Sequence, residues 1–244
     1  MSTQAARFFG VDLAWSVNNP SGVCALDEAG NIVDEQSLSS DEEIIGWIKR
    51  LVDGSVVVAI DAPLLVPNMT GRRPCEAAVA REYGSRKAGP HPSNRSLLTR
   101  VNGGIRGETL ATRLAAIGFA DPWAGSDRTL LEVYPHPALI ETFGLDERLV
   151  YKAKKGVRVA DRRRGLRVLS GMLELLGDTD PPLRGPTVPV DDAMRGAALK
   201  AVEDKLDARI CAWVASIWGS DPGRIRLFGD SETGHIAVPA GRPT

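Results

Sequence analysis

Apolar runs and polar breaks divide the first sixty residues into five elements. Residues 7–14 (RFFGVDLA) are almost continuously apolar and predict a buried strand, and residues 22–26 (GVCAL) predict a second. Asp27, Gly30 and Asn31 supply turn chemistry before a third strand at residues 31–36, so the three follow in hairpin order. Ser40 stands three positions before Glu43, the signature of a capped helix start. Ile44, Ile45, Trp47, Ile48 and Leu51 then recur at helical spacing up to Gly54. The β-branched run at residues 56–60 predicts a strand covered on both faces.

Beyond it the periodicity breaks. Pro63, Pro67, Pro74, Pro90 and Pro92 interrupt the stretch up to Gly107, which predicts an irregular excursion containing one helix at residues 75–83. A helix at 108–117 and a buried strand at 129–134 follow, the strand ended by Pro135 and Pro137. An arginine-rich helix is expected within 149–177, then a proline-rich loop at 180–189. Asp191 or Asp192 is expected to cap a long apolar helix reaching about Trp218, and residues 224–228 and 235–238 read as a closing hairpin. Together these elements predict one α/β domain over residues 1–244. Its mixed five-stranded sheet has three antiparallel strands followed by two parallel ones, with helices on both faces. A large irregular basic insertion follows strand four at about 62–107, and a basic helical insertion lies at about 149–178.

Composition adds exclusions. Hydrophobic residues at 43% and charged residues at 25% of 244 are ordinary for a globular chain. No apolar run approaches the roughly 18 residues of a membrane span, and no basic-then-apolar leader opens the chain, so a cytoplasmic protein with no membrane partner is expected. Cys24, Cys75 and Cys211 are too few and too scattered for a disulfide framework or a thiolate zinc site. His91, His136 and His235 show no paired metal-ligand spacing, and each is expected in a loop hydrogen bond. Trp47, Trp213 and Trp218 lie on apolar helix faces and read as core. The net charge of −1 conceals segregation: residues 1–61 carry −7, residues 62–113 carry +6 and residues 152–167 carry +7.

The informative residues are acids in apolar surroundings. Asp12 closes the first strand and Asp61 the fourth, where a carboxylate is costly unless paired or metal-bound. Turn formation before Pro20 and Pro63 is the plain alternative for each. Adjacent strands would bring both acids to one sheet edge. Glu132 lies inside the fifth strand, and Asp204 and Asp207 share one face of the late helix. Asp204 has Lys200, Lys205 and Arg209 near enough to pair, whereas Asp207 abuts Ala208, Ile210 and Cys211. Such carboxylates suit hard cations, Mg²⁺ or Mn²⁺, in a phosphoryl-transfer site whose two ions stand about 3.5–4 Å apart. The catalytic set expected is Asp12, Asp61, Glu132 and Asp207, and the metal ligands expected are Asp12, Asp61, Asp204 and Asp207. Arg72 and Arg73, with Lys154, Lys155, Arg162, Arg163 and Arg164 of the second basic block, are candidates for phosphate contacts. The alternative for these is pairing with acidic sheet ends or solvent.

Five segments carry a resemblance to a known family: FFGVDLAWS (8–16), VAIDAPL (58–64), GRRPCE (71–76), EVYPHP (132–137) and KLDARICAWVAS (205–216). Their order and spacing resemble the domain of unknown function 429 group, described as predicted nucleases of the ribonuclease H-like fold. The DxxDA of residues 204–208 is also similar to the Holliday-junction resolvase branch of that fold. The resemblance implies a ribonuclease H-like sheet, Asp12, Asp61 and Asp207 at metal-ligand positions, and a metal-dependent nuclease with nucleic acid as partner; a homodimer is compatible with it. Two other classes compete. Actin-like or sugar-kinase-related ATP-binding proteins share the hairpin core and an Asp after strand one, but generally need a second such domain and a glycine-rich loop. A non-catalytic nucleic-acid-binding scaffold needs no metal.

Overall fold

In the computed structural model, which describes residues 6–241, five strands form one sheet in the order β3-β2-β1-β4-β5. Strands β1 (Ala6–Asp12), β2 (Ser21–Leu26) and β3 (Ile32–Leu38) form an antiparallel meander. Helix α1 (Asp41–Leu51) carries the chain over to β4 (Val52–Ile60), which pairs parallel to β1; β5 (Arg128–Glu132) pairs parallel to β4. This is the mixed sheet expected. The capping box is present as read: Ser40 Oγ accepts from the Glu43 amide and Glu43 accepts from the Ser40 amide, each at 3.1 Å.

Strand alternation sends successive side chains to opposite faces. Phe9, Val11, Val56, Val58 and Ile60 pack against α1 and α4 (Arg106–Ala115). Phe9 meets Trp47 edge to face at 5.2 Å. Val57, Ala59 and Leu131 face the other way, into a core shared with α5 (Pro135–Phe143), α6 (Val159–Glu174) and α7 (Gly196–Ser220). Trp213 is buried there, as expected of a core tryptophan.

Helix α7 lies directly on the sheet. A Cβ at Gly10 would stand 2.0 Å from the Ala208 carbonyl oxygen, and one at Gly22 would stand 2.2 Å from that of Asp204. Only glycine permits so close an approach, and the fit sets the height and rotation of α7 above β1 and β2.

Several elements differ from the sequence reading. Between β4 and α4 lie two helices, α2 (Pro74–Tyr83) and α3 (Arg95–Asn102), where one was expected; Asn94 caps α3 by accepting from the Leu97 amide. Pro135 and Pro137 do not merely end β5. They open α5, because proline at the first helical position forgoes an amide that has no intrahelical partner. Helix α7 starts after Arg195 without a side-chain cap, and Asp191 instead closes a turn onto the Ala193 amide. The closing hairpin, β6 (Ile225–Asp230) with β7 (Gly234–Pro239), forms its own small sheet against α2 and α5. His136 and His235 therefore sit on a helix and a strand, and not in loops. No helix among the described residues is long and apolar enough to cross a membrane.

Candidate metal centre

Alternation decides which acids meet. Asp12 continues the Phe8–Gly10 face of β1, and Asp61 continues the Val57–Ala59 face of β4; both faces look toward α7. The Asp61 amide donates to the Val11 carbonyl at 2.8 Å, which extends the parallel ladder and holds the two strand ends side by side. Asp207 comes down from α7, one turn beyond the contact of Asp204 with Gly22. Each of Asp12, Asp61 and Asp207 offers a carboxylate oxygen, and these atoms lie within 4.8 Å of one another.

Three carboxylates so close repel one another, and two lysines offset the charge. Lys152 Nζ stands 2.8 Å from Asp207 Oδ2 and 3.4 Å from Asp61 Oδ2. Lys200 pairs with Asp204 and Glu203 on its own helix, and its Nζ is 3.9 Å from Asp12 Oδ2. The Tyr151 hydroxyl donates to Asp207 Oδ1 at 2.7 Å and so orients that carboxylate. Burial pushes the Asp207 carboxyl up to about 6; Lys152 opposes the shift and the charge of Asp61 adds to it. Asp12 is raised well above the usual range by burial and by the charges of Asp207 and Asp61, against the pull of Lys152. Asp61 is also raised, again through burial. Burial works against the ammonium of Lys152, but Asp207 and Asp61 outweigh it and hold the group protonated.

The donor set fits a hard divalent cation. All three donors are carboxylate oxygens, with no thiol or imidazole among them. Buried Asp207 Oδ2 makes no directed hydrogen bond, and the Lys152 ammonium stands 2.8 Å from it. A carboxylate oxygen balanced by one ammonium, in a cluster of like charges, suits a cation that takes the ammonium's place.

Other expected residues fall elsewhere. Glu132 pairs with Ile60 across the ladder, so it shares the parity of Ile60 and points away from α7. It accepts from the Leu64 amide at 2.9 Å and from both terminal nitrogens of Arg73. It stands outside the three-acid group. Asp204 is buried but engaged by Lys200, outside the three-acid group.

Arg73, expected at a phosphate, is 1% exposed, and its guanidinium is shared among Glu76, Glu132 and the Leu65 carbonyl. Arg162 is likewise buried, against Glu203 at 2.9 Å. Arg72, Lys154, Lys155 and Arg164 are exposed, and Arg163 is partly so. Lys152, which composition merges into the basic run, is the site residue that the sequence does not single out. The buried Tyr151 immediately before it is the signal that sets it apart from Lys154 and Lys155.

A family model described as a protein of unknown function (DUF429) matches residues 10–233, a span that includes all three acids and both lysines. No curated protein and no solved structure matches the chain.

Proposed function

Since the chain belongs to the DUF429 family, whose description assigns no activity, we propose from the site itself that it is a divalent-metal-dependent hydrolase cleaving phosphodiester bonds in nucleic acid. The observation that carries this reading is the convergence of Asp12, Asp61 and Asp207 oxygens within 4.8 Å. Mg²⁺ or Mn²⁺ held by these three acids would polarise a phosphoryl oxygen and lower the pKa of water. The strand order, with two parallel strands added to an antiparallel meander, supports assignment to the ribonuclease H-like class.

The chain's own groups have distinct tasks. Asp12 and Asp61 are fixed by the paired ends of β1 and β4, and Asp207 is fixed by α7 and by the Tyr151 hydroxyl. The ammonium of Lys152 lines the cleft beside Asp61, where it meets the negative charge of a bound phosphate. Hydrolysis adds water across the ester: its oxygen bonds to phosphorus, and the departing ester oxygen takes up a proton. The exposed Lys154, Lys155 and Arg164 supply attraction along a phosphate backbone without reading its sequence.

Comparing Asp61→Asn with the wild type tests the reading, using single-stranded, duplex and junction oligonucleotides with Mn²⁺. The substitution is expected to abolish cleavage and to weaken Mn²⁺ binding at least tenfold while leaving the folded circular dichroism spectrum unchanged. Unaltered turnover in Asp61→Asn removes the assignment.

A further inference from the structure

Beside Asp61 the surface opens into a cleft of about 280 Å³, bounded by the end of β4, the segment after β5 and the chain between Arg148 and Val157. Its size is at the lower limit for small-molecule sites, so it admits one monomer of a polymer. Two unmatched polar groups border it. His136 is 3% exposed and its Nδ1 has no hydrogen-bond partner; Arg148 Nε is buried and equally without one. Edge contacts with Tyr134 at 5.5 Å and with Tyr151 at 5.3 Å hold the His136 ring in place.

Buried polar atoms normally find partners, so two orphans bordering one cleft point to a ligand that completes them. The chemistry of the walls names its class. Arg148 and exposed Lys154 present cationic donors suited to a phosphate. Trp15, half exposed at 51%, and Tyr134 present aromatic surface suited to a flat ring. Burial, with Lys152, Arg148 and Lys154 nearby, keeps the His136 imidazole neutral, which leaves one ring nitrogen able to accept from a hydroxyl or an amine.

We propose that this cleft is a mononucleotide subsite that seats the terminal unit of a strand, with its phosphate on Arg148 and Lys154, its base against Trp15 and Tyr134, and its phosphodiester reaching Asp61. The inference rests on the phosphodiesterase reading and deepens it: the enzyme cuts from a strand end.

Two measurements test it. Titration calorimetry on the metal-free protein uses AMP, CMP and inorganic phosphate. Both nucleotides are expected to bind at least fivefold more tightly than phosphate. Arg148→Gln with Lys154→Gln, and separately His136→Asn, are expected to weaken them at least tenfold; the first pair keeps the test usable if the buried histidine variant fails to fold. Cleavage assays with Mn²⁺ then compare linear and circular single-stranded DNA of one sequence, and the circle is expected to resist. A wild-type protein that binds neither nucleotide, or that cuts circle and linear strand at equal rates, overturns the subsite. Intact Mn²⁺-dependent cleavage in that case leaves the hydrolase reading standing. Nucleotide binding that persists in a protein with no Mn²⁺ affinity and no cleavage of any strand removes the hydrolase reading, and the end-cutting inference with it.

Discussion

The ammonium of Lys152 stands 2.8 Å from Asp207 Oδ2, so a side chain from the basic segment fills the electrostatic role of a cation at the acid cluster. With Lys152 replaced by Met, three crowded carboxylates retain Lys200 as their remaining cationic neighbour. The lysine is 27% exposed, so loss of the pair is expected to cost about 2 kcal/mol, less than the ~3–5 of a fully buried pair, and to lower Tm by roughly 5 °C. Mn²⁺ should restore the loss, and at pH 8 its affinity should exceed that of the wild type, because no ammonium competes for Asp207. Thermal melts with and without Mn²⁺ measure both. A variant with unchanged Tm and unchanged Mn²⁺ affinity counts against this role for Lys152.

Acidity acts on the same cluster with a definite sign. The folded carboxyl of Asp207 lies at about 6, above its unfolded value, so the folded state binds the extra proton in that interval. Stability of the metal-free protein should therefore fall as pH rises from the ordinary aspartate range to about 6 through Asp207, with Asp12 and Asp61 adding to the fall. Asp12 and Asp61 are displaced in the same direction. Metal binding must release these protons, so Mn²⁺ affinity is expected to drop about tenfold from pH 7 to pH 5 through Asp207 alone. Calorimetry in buffers of different ionisation enthalpy counts the protons released; a count of zero at pH 5 contradicts the assignment.

The seat of α7 can be tested without touching an acid. In Gly10→Ala the new methyl meets backbone atoms of Ala208 and Ala212, which cannot swing aside, so the helix must shift. Overpacking of this kind costs about 1–3 kcal/mol. Asp207 rides on the displaced helix, so Mn²⁺ affinity should fall by more than tenfold. Gly46→Ala is the control: nothing lies within 4 Å of its Cβ position on the exposed side of α1, and a gain of about 0.5–1 kcal/mol is expected. Normal metal binding in Gly10→Ala means that the contact does not position the site.

Local signals explain what was legible. Asp12 and Asp61 stand out because each closes an apolar run, and strand parity places both on the α7 face. Asp207 stands out because it abuts Ala208, Ile210 and Cys211 at the head of a largely apolar run. Glu132 carries the same local signal as Asp61, yet its face depends on a register of one residue: Ile60, not Asp61, pairs with it. Pairing across chain distance was equally hidden. Arg73 meets Glu132 from 59 residues away and Arg162 meets Glu203 from 41. A basic run does not reveal which of its members turn inward. Helix α5 escaped notice because Pro135 and Pro137 signal both the end of a strand and the start of a helix.

That inward turn separates two kinds of arginine by experiment. Arg73 and Arg162 have side chains 1% and 10% exposed, and each is held by a buried glutamate. Arg73→Gln and Arg162→Gln should each cost about 3–5 kcal/mol, because the glutamate left behind is buried without its cation. Arg72, Arg164, Lys154 and Lys155 are exposed, and glutamine at these positions should leave Tm within about 1 °C. Their effect should appear in nucleic-acid binding. Each lost phosphate contact reduces the magnitude of the log-log salt slope by about 0.7–0.9, whatever the base sequence. Affinity for a labelled single strand, measured over a salt series, separates these outcomes. If Lys154→Gln with Lys155→Gln leaves the slope intact, the backbone runs elsewhere on the surface; if Arg162→Gln keeps its Tm and loses the contact, the buried pair with Glu203 is not what holds that arginine.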